Sequence, residues 1–485
     1  MHIARRTLTS ISWTMVSNLS KSVVLFARSI LLARLLPVEV FGVYGFAGSL
    51  IALTSVFANF GLDAAFMHRS EHTADEGQAA RAHFTLKLLF TALWTGALLG
   101  GALLFTTGEQ QVALVALTLT GAANHLTQTP KLILMRRIVH RRLAVLNIAN
   151  ALLTTAVSVG LAAASVTLWA LLATDLVSLA LSVFAMYLWK PVWRPALAWR
   201  PAAARYFVRF GAKNMFSALL QQALNEIDDL WTGGFLGQAQ LGFYSRAYTF
   251  ATYPRQVLGA PVTSVIAGAY AALKDDRRRL SMTFFRANAL LVRVNFLFAG
   301  LLILIAPEFI RLALGAKWLP MLETFRLMLI FTLLDPLAQT IGYIFVMQGA
   351  PEKLARYQLV QLGVLVAGLF TLGSWLGIQG VALAMDAMLL TGITLMLLNA
   401  RAYVDFSAWR LFSAPVFALG VGLLAGQAAL TLPGLPANDW ATAFAKALVF
   451  SLVYSALLAA FEYNRLKKII AWAVDNLRRP DAEPT

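Results

Sequence analysis

The chain contains no cysteine in 485 residues. That excludes disulfides, thiol nucleophiles, thiolate metal sites and iron–sulfur clusters, and leaves the compartment open. Charge is also scarce. Asp, Glu, Lys and Arg make up 13% of the sequence, against ~25% in soluble domains. Acids are the scarcer sign, 23 against 40 Lys and Arg, for a net charge of +17. No Gly-rich loop of the Gly-Lys-Ser/Thr kind occurs, so ATP hydrolysis has no support. Histidine is limited to six residues. His68, His72 and His83 cluster in one expected loop, but without helix-face ligand spacing or an acidic motif, so no metal or other cofactor is expected. No polar stretch is long enough for a soluble domain.

What remains is apolar sequence, 59% of the chain against ~45–50% in soluble proteins. On a soluble chain the positive excess would suggest nucleic acid. Here it points to a membrane protein with its basic residues on one side, and no nucleic-acid partner. A crossing helix needs ~20 mostly apolar residues, and about fourteen such stretches can be read. They lie near 12–35, 40–62, 84–106, 111–134, 144–166, 168–189, 207–236, 240–271, 284–306, 320–347, 357–375, 377–399, 411–432 and 442–463. The first, fourth, seventh and eighth carry charge or long polar faces. The expected fold is an all-α polytopic membrane protein.

With the amino terminus in the cytoplasm, 30 of the 40 Lys and Arg fall on inner connections or the tail. This is the bias that orients multispanning chains, and it puts both termini inside. Outer connections keep Arg34, Arg311, Lys317 and Lys446; the first three are read as snorkelling side chains. The first apolar stretch is too long and too charged for a cleaved signal, with Lys21 and Arg28 inside it. The tail NRLKKIIAWAVDNLRR can form an interfacial amphipathic helix or a plain solvated tail.

The sequence repeats. Leu36, Gly42, Tyr44 and Ala47 recur 200 residues on as Leu236, Gly242, Tyr244 and Ala247. At an offset of 211, Leu126, Gln128 and Thr129 match Leu337, Gln339 and Thr340, and Asp175 matches Asp386. An even number of spans separates the copies, so the halves share one orientation. Expected domains are a six-helix lobe at 1–200, a second at 201–405, two further helices at 406–463 and a basic tail at 464–485. Transporters built from parallel repeats bind substrate between lobes and rock around it.

Ionisable side chains inside spans cost about 2.5–3.5 kcal/mol each by insertion scales, so they should face a cavity or a partner. Lys21 and Arg28 lie two turns apart on one face, about 10 Å along the axis. Asn225, Glu226, Asp228 and Asp229 occupy the seventh span, Arg246 and Arg255 the eighth, Arg293 the ninth and Asp335 the tenth. One reading is a cationic cavity in which Lys21, Arg28, Arg246, Arg255 and Arg293 hold a phosphate or pyrophosphate head group. Asp228 and Asp335 would then bind a coupling proton or sodium ion. The other reading is internal neutralisation, Arg246 with Asp228 or Asp229 and Arg28 with Glu226. Asp175 and Asp386 read as structural groups bonding across helices. Pro254, Pro261 and Pro336 should kink their helices.

The segment LLARLLPVEVFGVYGFAGSLIALTSVFANFGLDAAFMHR resembles bacterial oligosaccharide flippases of the polysaccharide transport family. These are the Wzx-like proteins of the superfamily that also holds multidrug extruders and the lipid II flippase. DDLWTGGFLGQAQLGFYSRAYTFATYPRQVLGAPVTSV and APEFIRLALGAKWLP resemble them more closely, with Asp228, Gly233, Gly237, Leu241, Gly242, Tyr244, Ala247 and Pro254 at the family's positions. The likeness covers roughly residues 1–400. Ile266, Ala267 and Gly268 depart from a Phe-Pro pair found in many relatives.

The resemblance implies two lobes around a cationic cavity. It also implies a bacterial inner-membrane flippase for an undecaprenyl-pyrophosphate-linked oligosaccharide, a repeat unit of exopolysaccharide, O-antigen or capsule. Such a protein is a transporter rather than an enzyme, with membrane lipids and polysaccharide polymerase or assembly machinery as partners. Basic residues of the first and eighth helices, here Lys21, Arg28 and one of Arg246 or Arg255, would bind the head group, and the last two helices would form a groove for the lipid tail. A multidrug or cation extruder is the nearest alternative, but a site for cations should be acidic and aromatic. A membrane polysaccharide polymerase or ligase usually needs a large outer loop, and every outer loop here is short.

Overall fold

The computed structural model describes residues 20–69, 76–137, 140–255, 266, 268–429 and 438–478. Asn18, His72, Pro261, Ala267 and the early part of the first expected span lie outside them. The regular secondary structure among the described residues is helical, with no strand. In chain order the helices are α1 (20–35), α2 (Val38–Asn59), α3 (Leu62–His68), α4 (Glu76–Phe105), α5 (Gly108–Leu126), α6 (Gln128–Arg136), α7 (His140–Ala163) and α8 (Thr167–Val183). After them come α9 (Pro201–Trp231), α10 (Gln238–Pro254), α11 (Arg277–Phe309), α12 (Leu322–Met347), α13 (Pro351–Gly368), α14 (Ile378–Ala400), α15 (Ala408–Ala428) and α16 (Asp439–Arg478).

Ten helices among the described residues are long and apolar enough to cross a membrane. The four expected spans missing from that set are the first, fourth, seventh and eighth. The described part of the first is short, and the fourth divides at Thr127 into α5 and α6. The seventh, α9, carries charge near both ends, from Arg205 to Asp229. The eighth is described as helix only to Pro254. Large apolar side chains such as Leu93, Leu104 and Leu424 are left exposed, as a lipid-facing surface requires and a soluble fold avoids. The chain is a multi-pass membrane protein.

Two compact units divide at Gly242 and Phe243. In the first, α2 packs on α4, α5 and α9, and α7 packs on α8. Pro37 precedes α2, and α9 opens on Pro201, whose missing N–H is no loss at a helix start. Phe60 and Gly61, both with positive φ, end α2. There the backbones come so close that a Cβ on Gly211 would meet the Phe60 carbonyl oxygen at 2.2 Å. Only glycine permits this approach of α2 to α9.

In the second unit, α12 and α13 pack on α14, and α11 is flanked by α12, α15 and α16. The Asp276 carboxylate caps α11 by accepting from the Arg279 N–H at 3.0 Å. Helix α16 is continuous in backbone to Arg478 apart from a break at Glu462 (φ −137°, ψ 20°).

Three ion pairs tie α16 to the α11 region. Arg293 Nε donates to Glu462 at 2.7 Å, Lys446 Nζ to Glu308 at 2.8 Å, and Arg311 grips Asp439 with two bonds at 2.8 and 2.9 Å. The first two pairs are buried. Lys446, read from sequence as an outer-loop charge, is therefore an internal partner. Arg311, read as snorkelling, is held by a carboxylate.

Candidate functional site

Each charged residue singled out in the sequence can be placed. Lys21 and Arg28 are half-buried on α1. Arg28 is close enough to act electrostatically on a bonded pair in which Tyr44 donates to Asp175 at 2.8 Å. Asp228 is buried, while Asp229 accepts from Ser49 of α2 at 3.1 Å and Glu226 accepts from Gln222 at 3.1 Å. Arg246 is half-buried on α10.

Arg255 and Asp335, expected in separate roles, are bonded to each other. Arg255 donates to Asp335 at 2.7 Å, Gln339 donates to the same carboxylate oxygen at 2.9 Å, and the guanidinium lies over the Phe331 ring. Pro336 follows within α12.

Arg293 is different in kind. It is 4% exposed, and its donors go to Glu462 and to the Ala289 carbonyl of its own helix. Tyr454 donates to the Arg293 carbonyl. Arg293 thus ties α11 to α16. The sequence offered it as a cavity cation because Glu462 stands 169 positions away, in a helix outside the repeat.

A further polar node was missed. His83, expected in a loop, is fully buried within α4, as is Lys87 one turn on. Lys87 Nζ donates to Asp63 at 2.9 Å and to Asn59 at 2.8 Å. His83 Nε2 lies 3.2 Å from Asp63, and Nδ1 lies 3.0 Å from the Thr129 hydroxyl. A carboxylate can only accept, so Nε2 carries the proton and Nδ1 of the neutral ring accepts from Thr129. Burial opposes the charge on Asp63, but the hydrogen bond from His83 and the charge of Lys87 hold its carboxyl down to about 2. The i, i+4 spacing of His83 and Lys87 was the available signal.

A smaller polar contact lies on α11. Thr340, the match of Thr129, donates to Asn288, and Asn288 meets the Tyr270 hydroxyl at 3.5 Å. Thr129 thus bonds to a residue of α4, and its match Thr340 to one of α11. The partner of Thr129, His83, is ionisable, and the partner of Thr340, Asn288, is not. The aspartates diverge similarly. Asp175 is bonded to Tyr44, whereas both oxygens of buried Asp386 have no hydrogen-bond partner among the described residues.

An apolar cavity of about 970 Å³ opens where α15 meets α16, walled by Phe412, Val416, Phe417 and Phe461, with Arg410 and Glu462 as its charged groups. No group of three or more His, Asp or Glu among the described residues could hold a metal.

Comparison with known proteins agrees with this architecture. The lipid II flippase MurJ in an inward closed conformation superposes with a TM-score of 0.73 over 94% of this chain and 99% of that one, at 13% identity. An inward-facing multidrug resistance MATE transporter of the MOP superfamily gives 0.58 over 80% and 97%, at 16% identity. The fold is shared with both. An uncharacterized membrane protein in the cps region of Klebsiella pneumoniae is 22% identical over 79% of this chain and 80% of its own length. The lipopolysaccharide biosynthesis protein WzxC of Escherichia coli is 23% identical over 41% and 40%. The teichuronic acid biosynthesis protein TuaB of Bacillus subtilis is 26% identical over 33% of each. Residues 31–323, more than half of the chain, match the family described as polysaccharide biosynthesis protein, and the chain belongs to that family.

Proposed function

We propose that this protein is a flippase that carries an undecaprenyl-pyrophosphate-linked oligosaccharide across the bacterial inner membrane by alternating access. The observation that carries the proposal is the pairing of a polysaccharide-biosynthesis sequence with a flippase-type fold whose interior cations include Lys21, Arg28, Arg246 and Arg255. A multidrug extruder of the same fold would want acids and aromatic rings for cationic drugs. The relatives by sequence are named instead for lipopolysaccharide and teichuronic acid biosynthesis.

The topology proposed is fourteen helices with both termini cytoplasmic. Tryptophan placement supports it. Under this orientation Trp169, Trp375 and Trp440 mark outer helix ends and Trp189, Trp199 and Trp409 inner ones, and all six are exposed. Two belts of Trp at headgroup depth are what a spanning protein shows.

In this proposal Lys21 and Arg28 bind the pyrophosphate, and Arg246 and Arg255 complete the set. Arg255 must exchange Asp335 for phosphate, since one guanidinium fork cannot grip both fully. The freed Asp335 carboxylate then needs a countercharge, which a proton or sodium ion supplies, with Asp228 as a second acid in the path. Arg293 is left out of the set because Glu462 occupies it. The apolar cavity beside α15 and α16 suits the lipid tail. The test is export of glycan by Lys21→Ala and Arg28→Ala variants that still insert in the membrane. Loss of export is expected in each; normal export in both would remove these cations from the site.

A further inference from the structure

The connection between α8 and α9 is a surface feature that transport chemistry does not use. Residues 189–200, WKPVWRPALAWR, are not helical, yet they are fixed to the protein. Arg142 donates to the carbonyls of Ala185, Trp189 and Lys190 and stacks on the Trp189 ring. Val192 and Trp193 pack against the buried cluster around Leu62, Phe66 and Leu86. The Ala198 N–H donates to Thr85 at 3.0 Å, and Arg200 donates to Gln78.

With its inner side so anchored, the strap turns a defined set of residues outward. Trp189, Leu197 and Trp199 are 45%, 65% and 64% exposed, and Lys190, Arg194 and Arg200 are exposed beside them. Helix α9 extends the pattern with Arg205, Arg209 and Lys213, all exposed. Their spacing of four places them in one stripe, where like charges repel along a helix. No Asp or Glu occurs from Lys190 to Lys213 to relieve that repulsion. Lys190 and Arg194 form no ion pair among the described residues.

We infer that this strap and the first turns of α9 form a preorganised binding surface for anionic phospholipid head groups. Orientation of the chain by positive charge requires only that bases lie on this side. It does not require that they be held in a rigid array interleaved with exposed Trp and Leu. Tryptophan and leucine suit the depth of the headgroup and upper acyl region, and the bases suit the phosphates above them. Rigid anchoring means that little ordering cost is added when lipid binds.

The absence of cysteine allows a direct test on the full chain. Leu197→Cys gives a single thiol for a bimane fluorophore, and the labelled protein is reconstituted into phosphatidylcholine vesicles. A fixed fraction of brominated phosphatidylglycerol, or of brominated phosphatidylcholine, is then included. Quenching at least about threefold stronger by the anionic lipid is expected, from the attraction each base near a membrane surface contributes. Lys190→Gln with Arg194→Gln should abolish that preference while leaving shallow quenching by both lipids. In the unsubstituted reporter protein, raising salt from tens of millimolar to about 0.5 M should weaken the preference by screening. Equal quenching by the two lipids, or a preference unaffected by both the charge substitutions and salt, would overturn the inference. So would a preference erased by millimolar free pyrophosphate, which would mark a site for soluble phosphates instead.

Discussion

Gly42 and Gly242, 200 positions apart in sequence, each pack on the segment where the other's helix begins. A Cβ on Gly42 would stand 1.8 Å from the Gln238 carbonyl oxygen, and one on Gly242 would stand 2.2 Å from that of Val38. The contact is reciprocal under the offset of 200, since Val38 and Gln238 correspond as the glycines do. The glycine of each Gly-x-Tyr copy is therefore required by close backbone approach.

Alanine at either glycine has nowhere to go, because the atoms it meets are backbone. Gly42→Ala and Gly242→Ala should each destabilise the protein by about 1–3 kcal/mol, the usual range for overpacking. Gly100→Ala, with nothing within 4 Å of its added carbon, should be neutral or mildly stabilising. Thermal unfolding in detergent checks all three, and equal melting temperatures would refute the close contact.

The Arg255–Asp335 pair predicts coupled behaviour. Asp335→Asn and Arg255→Gln should each reduce glycan export. A double-mutant cycle on stability should return a coupling of about 1–3 kcal/mol, as for residues in direct contact. Coupling near zero would mean that the pair does not persist in the membrane. If Asp335 also carries the coupling ion, Asp335→Asn alone should flatten the response of export to an imposed proton or sodium gradient.

Arg293 and Glu462 offer a contrast, because their pairing is internal to α11 and α16. Removing one partner strands a buried charge, so Arg293→Ala should cost about 3–5 kcal/mol. Replacing both, with Arg293→Met and Glu462→Leu, should recover most of that loss and keep glycan export. A stable double variant with no export would instead return Arg293 to the substrate site.

The node at Asp63 makes a statement about pH. Its carboxyl is held down to about 2 in the folded protein, below the ordinary value of 3.8. A depressed carboxyl stabilises above its unfolded value and loses that contribution as pH falls through the folded one. The contribution, about 2 kcal/mol at neutral pH by linkage, should therefore be intact above about pH 5 and disappear between about pH 4 and 2. Melting curves of the parent should fall more steeply over that window than those of Asp63→Asn. Parallel curves would show that Asp63 is not ionised against Lys87.

The helices were legible in sequence because a spanning segment declares itself by local composition. Among the described residues, α5 with α6 and α9 depart from that rule, the former by dividing at Thr127 and the latter by the charge it carries. The partners of buried charges were less legible. Glu462 for Arg293, Glu308 for Lys446 and Asp63 for Lys87 are pairings made by packing, and nothing in local spacing names them. His83 was read as a loop residue because the apolar run begins only at 84, whereas α4 starts at Glu76. Thr129 and Thr340, matched at an offset of 211 in the sequence, bond to residues of α4 and α11 respectively.

The central claim is that the chain moves a lipid-linked glycan across the membrane. The direct measurement is the sidedness of that glycan in cells deleted for this gene, read by an impermeant probe on intact cells and on inverted vesicles. Undecaprenyl-pyrophosphate-linked repeat units should accumulate in the cytoplasmic leaflet and return to the outer one when the intact gene is restored. Repeat units reaching the outer leaflet at an undiminished rate in the deleted strain would contradict the proposal.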